Sequence, residues 1–127
     1  MDKDASIKAA LGVMAEHIAA LNDRDEARLA ATMHFPHYRL SGAQLKCWEA
    51  PDDYFADFRS RAGGNWSHSS ADDINVVAAS DDKVHLDVEI NRFDTKGDKT
   101  ASFRSLWVMT CLEGSWAAQF RSSFAAQ

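Results

Sequence analysis

The chain has 127 residues, 46% of them apolar and 26% charged, which is the composition of one globular domain spanning 1–127. A disordered chain, a coiled coil and a collagen-like repeat are excluded, and no apolar run approaches the ~20 residues that cross a bilayer. Fourteen basic and nineteen acidic side chains are interspersed and leave a net charge of −5, so nucleic acid is not an expected partner. The polar start, 1–6, leads into an amphipathic pattern rather than a secretory apolar run, and the expected location is the cytoplasm. Cys47 and Cys111 stand far apart with no second cysteine near either. They are read as reduced, buried thiols rather than a metal or disulfide motif.

Ile7, Leu11, Met14, Ile18 and Leu21 recur at steps of three and four, which predicts a first helix buried on that face. Asp4 or Ser6 is the expected cap, and Asn22-Asp23 the end. Asp23 followed by Glu26 reads as a capping box that opens a second, short helix through Leu29 and Met33. Pro36 is expected to stop it. His37–Leu40 and Gln44–Glu49 read as short strands joined by Ser41-Gly42-Ala43. Pro51 suits the first position of a third helix, with Asp52 and Asp53 at the positive end of its dipole. Tyr54, Phe55, Phe58 and Ala62 form its apolar side, and Gly63-Gly64 ends it.

Strand patterns fill the remainder: Trp66–Ser70 running on through Ile74–Ala79, then Lys83–Asp94, Thr100–Leu112 and Ser115–Phe124. The short turns between them require antiparallel neighbours. Val84, Leu86, Val88 and Ile90 alternate with polar residues, giving one buried face, and the pattern slips at Arg92-Phe93, where a bulge is expected. In Thr100–Leu112, Phe103, Trp107, Met109 and Cys111 share one face while Leu106, Val108 and Leu112 share the other. Helices can cover one of these faces; a second subunit is the expected cover for the other. The fold class is therefore α+β, three N-terminal helices followed by an antiparallel meander.

Two helices, a short strand pair, a third helix and a long meander resemble the nuclear transport factor 2-like superfamily, in its SnoaL-like branch of small bacterial proteins. The resemblance rests on Asn22-Asp23-x-Asp25, Phe35-Pro36-His37-Tyr38-Arg39 leading to Ser41-Gly42, Ser105-Leu106-Trp107, and Gly114-Ser115-Trp116-x-x-Gln119-x-Arg121-Ser122-Ser123-Phe124. It implies a cone-shaped curved sheet around a pocket for a small organic molecule, and a homodimer through the sheet. Members range from cofactor-independent isomerases, dehydratases and cyclases to non-catalytic binding or interaction modules, so the fold leaves function open. The ketosteroid isomerases of the superfamily carry one acid on the strand after the second helix and another on a late strand. Neither His37–Ser41 nor Leu106–Met109 contains one.

His37, His34 and Tyr38 are the candidate catalytic residues, since imidazole exchanges protons near neutral pH. The opposite reading has His34 at a helix end and His37 on the strand surface. Regular alternation would send His37 and Tyr38 to opposite faces. The candidate pocket residues are His17, Trp48, Tyr54, Phe58, Trp66, His68, Arg92, Trp107 and Phe120, an aromatic supply that suits an apolar ligand or an ordinary core. Arg92, Arg104 and Arg121 either bind a carboxylate inside the cone or pair with Asp87 or Glu89 outside it. No cofactor fingerprint is present, and Pro36 prevents His34-x-x-His37 from presenting two metal ligands on one helical face.

Overall fold

A computed structural model describes residues 2–61 and 64–125, so the expected helix end at Ala62 and Gly63 lies outside the described residues. The first helix, α1 (Lys3–Asn22), is capped by Asp2, whose carboxylate accepts from the Ala5 N–H at 2.8 Å. Neither Asp4 nor Ser6 is the cap; the Ser6 hydroxyl instead donates to the Asp2 carbonyl. The buried face matches the expected one only in part, at Met14. Ser6, Ala10, Met14, His17 and Ala20 are buried, whereas Leu11 is 37% exposed and Ile7, Ile18 and Leu21 are half-buried. Small side chains let the helix axis approach the sheet, and the larger aliphatic ones flank the contact.

Asp23 closes α1 and ion-pairs with Arg28, while Asp25 caps α2 (Glu26–Ala31) by accepting from the Arg28 N–H. Arg24, with φ 54°, makes the reversal between the two helices. Pro36 does not end α2. The helix stops at Thr32, and Pro36 lies within β1 (Met33–Ser41), after a cis Phe35–Pro36 bond. The β1–β6 register shifts between Met33 and Tyr38, around a residue that has no N–H for a ladder. β2 (Gln44–Trp48), α3 (Pro51–Arg61), β3 (Trp66–Ala79), β4 (Lys83–Asp94), β5 (Lys99–Leu112) and β6 (Ser115–Ser123) follow the expected order.

The six strands form one sheet in the order β2-β1-β6-β5-β4-β3, antiparallel except for the parallel β1–β6 pair. The expected bulge is present as a register shift between Arg92 and Phe93. Val84, Leu86, Val88 and Ile90 face inward and pack with Ala10, Met14, Trp107, Met109 and Ala118. A second cluster joins Ala20, Leu29, Met33, Trp48, Tyr54 and Phe55 at the other end. The architecture is a curved sheet packed on N-terminal helices. Of the two thiols, Cys47 is exposed and Cys111 half-buried, so the expectation of two buried cysteines does not hold.

The α1–α2 junction ties the helices to β3. The Asn22 side chain donates to the Ser69 carbonyl and accepts from the Ser69 N–H, both at 2.8 Å, as a strand neighbour would. The Arg24 guanidinium donates to the carbonyls of Trp66 and Ser67 and lies 4.5 Å from the centre of the Trp66 ring. Asn22→Ala removes both bonds to Ser69, a residue only 4% exposed, and leaves backbone groups unpaired. We expect a loss of about 1–3 kcal/mol in urea unfolding; an unchanged midpoint contradicts this account of the junction.

Candidate functional site

Between the two apolar clusters the concave side of the sheet is hollow. The cavity is about 410 Å³ and opens to solvent on one side, a size that suits a small organic ligand. Tyr54, Phe58, Trp66, Phe103 and Trp107 supply aromatic wall, and His17, Arg39, Lys46, Arg92 and Arg121 supply charged or titratable groups. Among the described residues that line it, none is an aspartate or glutamate.

Six of the residues anticipated for the site line this cavity: His17, Tyr54, Phe58, Trp66, Arg92 and Trp107. The other six do not, each for a visible reason. His34 turns to the far end of the sheet, where its Nε2 lies 3.2 Å from the Thr110 carbonyl and 2.9 Å from that of Ser115. His37 is fully buried beneath the wall, between Trp48 and Tyr54. Arg39 and Ser41 face the cavity, so alternation along β1 places Tyr38 on the outer face. Phe120 is in register with Tyr38 and Val108, on that same outer side. Trp48 is buried under α3 and donates through Nε1 to Asp57 at 2.9 Å. His68 is exposed and stacks on Phe93, with ring centres 4.7 Å apart.

The charged residues not anticipated are two cations. Arg39 and Lys46 reach the cavity from β1 and β2. Arg121, which the sequence left open between inside and outside, is inside; Arg104 is outside, paired with Asp87 and Asp73. Arg39 was detectable in principle, because it lies two residues from His37 on one strand face. The parallel β1–β6 pairing that sets Arg39 beside Arg121 has no local sequence signal.

His17 and Arg121 meet around Trp107. The His17 ring makes an edge contact with Trp107 at 4.9 Å, and the Arg121 guanidinium carbon lies 5.2 Å from the centre of the same indole. Thr32 donates its hydroxyl proton to the Leu29 carbonyl, so at 2.8 Å it accepts from His17 Nδ1–H. That assigns the proton to Nδ1 and leaves Nε2 as an acceptor. Burial, then the charge of Arg121, then His37 hold the His17 pKa well below that of free imidazole. His17 is therefore a neutral base in a wall otherwise rich in positive charge.

Solved structures with the same architecture are numerous. A protein of unknown function from Pseudomonas putida KT2440, described as NTF2-like, superposes with a TM-score of 0.80 at 13% identity over 99% of this chain and 90% of its own. A protein of unknown function with a cystatin-like fold from Nostoc punctiforme gives 0.77 at 9% identity, over 93% and 89%. An NTF2-like protein from Cytophaga hutchinsonii gives 0.72 at 18%, over 99% and 100%. This is the nuclear transport factor 2-like fold. No family model matches the sequence, and no curated protein matches it. No helix among the described residues is long and apolar enough to cross a membrane.

Within this NTF2-like cone, a second histidine reinforces the first. His37 Nδ1 donates to the Ala118 carbonyl at 3.0 Å, and its buried Nε2 has no partner. Burial first, then Arg121, and to a lesser extent His34, push its pKa down to about 3 against the support of the Ala118 bond. Unfolding frees both imidazoles to titrate near their ordinary ~6.5. Between that value and the depressed folded one, the unfolded chain binds protons that the folded chain does not. The stabilisation is complete above ~6.5 and is lost as pH falls, by up to about 1.4 kcal/mol per unit per histidine. We expect the urea midpoint to drop between pH 6.5 and 5, where carboxylates are still mostly ionised; a flat midpoint there contradicts two buried neutral histidines.

Proposed function

We propose that this protein is a SnoaL-like member of its fold class that takes a small organic molecule with a flat, apolar body into the cone. In this reading it acts as a cofactor-independent acid–base enzyme of the isomerase or dehydratase type, located in the cytoplasm. The observation that carries the reading is His17: a buried, neutral imidazole on the wall of an open cavity, with Nδ1 committed to Thr32. Its Nε2 is the proton acceptor, the part first assigned to His37. Trp107 and Phe103 offer flat surfaces to the ligand body. Arg121, across Trp107 from His17, offers positive charge that holds an anionic group of the ligand beside that base. His34 and Tyr38 take no part in this scheme.

The first test is occupancy of the cone by a neutral aromatic probe, N-phenyl-1-naphthylamine, whose emission rises in apolar surroundings. We expect saturable binding of one probe per chain. Ile18→Trp, which enlarges a half-buried cavity-lining side chain of α1, should abolish it without changing the circular dichroism of the fold. No saturable binding, or binding indifferent to that substitution in a folded variant, overturns the reading.

The proposal includes a homodimer through the outer face of the sheet. Tyr38, Phe120 and Val108 stand in register there, across three adjacent strands, and all three are half-buried in the isolated chain. Such a row favours a covering partner, and a closed twofold pair is the commonest cover. Light scattering should give twice the mass of the chain, and Val108→Lys should halve it. A monomeric mass for the unaltered chain rules the dimer out.

A further inference from the structure

We infer that the ligand of the cone is an organic anion, an apolar acid whose carboxylate sits on Arg121. The inference rests on the binding reading above and adds the chemical class of the ligand. It starts from a mismatch of charge. The chain is acidic overall, with nineteen carboxylates against fourteen basic side chains. Yet the described cavity lining has three arginines and a lysine and no acid.

The arginines outside the cavity show what this chain does with a guanidinium when a carboxylate is within reach. Arg28 pairs with Glu16 and Asp23, Arg59 with Glu26, and Arg104 with Asp73 and Asp87. At the rim of the cavity Lys46 reaches Asp57. Arg121 has no such partner among the described residues. Its polar contact is a long one, 3.5 Å from Nη2 to the Tyr54 hydroxyl, and its Nε is buried with no acceptor. The remaining contacts are faces of aromatic rings, Trp107 at 5.2 Å and Tyr54 at 5.9 Å.

A guanidinium presents five donors in a planar fork that a carboxylate fills two at a time. Buried donors without acceptors cost free energy, and proteins seldom keep them unless something fills them. Arg39 brings a second guanidinium to the same wall, because it is in register with Arg121 on the adjoining strand. Like charges at neighbouring strand positions repel, and an anion between them removes that repulsion. Trp107 and Phe103, on the same wall, receive the apolar body of the acid. Bound there, the carboxylate offsets the charge that presses on His17, so the ligand also sets the basicity of that imidazole.

The test compares ligands of one shape and different charge, read as displacement of N-phenyl-1-naphthylamine. We expect 2-naphthoate to displace the probe at a concentration at least about tenfold lower than the neutral 2-naphthamide, as a charge-assisted bond implies. Arg121→Gln should bring the two ligands together, each read against the probe affinity measured in that variant. If that variant does not fold, Arg121→Lys, which keeps the charge and loses the fork, should narrow the ratio. Naphthalene-2-sulfonate and 2-naphthyl phosphate separate the anion types, and stronger displacement by either of them than by naphthoate overturns the assignment to a carboxylate. Equal displacement by naphthoate and naphthamide overturns the anion and leaves the binding reading standing. Failure of the probe to bind removes both. A preference for naphthoate that survives in Arg121→Gln overturns the role of Arg121.

Discussion

A curved sheet has more concave surface than one helix can cover, and the cavity follows from that. α1 lays Ala10 and Met14 on β4, β5 and β6 at one end, and α2 and α3 close the other around Tyr54 and Trp48. The clusters do not merge. Trp107 stands at the border between them, packed into the first on one side and facing His17 and Arg121 on the other. A residue of that size, buried but not enclosed by aliphatic neighbours, holds the gap open and gives it a flat wall. The site is thus the unfilled part of the core rather than a feature added at the surface.

The chemistry of the gap differs from that of a two-carboxylate isomerase. The lining contains no acid among the described residues, so the group placed to take a proton is an imidazole and the group placed to hold an anion is a guanidinium. Both features depend on burial. Burial keeps His17 neutral, and at the half-buried Arg121 it leaves Nε without an acceptor. The same two residues that make the cavity a candidate site therefore make it costly to leave empty. On the outer face Arg104 is, by contrast, already neutralised by two aspartates.

Much of the fold was legible because strands declare their faces through a period of two. Val84 to Ile90 alternated without a break, and the slip at Arg92-Phe93 marked the bulge that is present. The helix face was legible at Met14 but not elsewhere, because Leu11, Ile18 and Leu21 flank the contact while Ser6 and Ala10 make it with Met14. A pattern of large apolar side chains does not register a helix that packs through small ones. Pro36 was read as a stop because its local effect is strong, but the helix had already ended at Thr32. At the site, His34 and His37 drew attention by standing near the exit of α2. The histidine on the cavity wall is His17 instead, because the helix turn that buries it also brings it to Thr32 and Trp107. Arg39 and Arg121 meet through a parallel pairing between the first and last strands, a contact that no local pattern encodes.

The most direct measurement is a crystal structure of the chain with 2-naphthoate. The account predicts the naphthalene ring inside the cone against Trp107, with a carboxylate oxygen at about 2.7–2.9 Å from a nitrogen of Arg121. A ligand bound outside the cone, or one inside it with its carboxylate turned to solvent away from Arg121, would contradict the account.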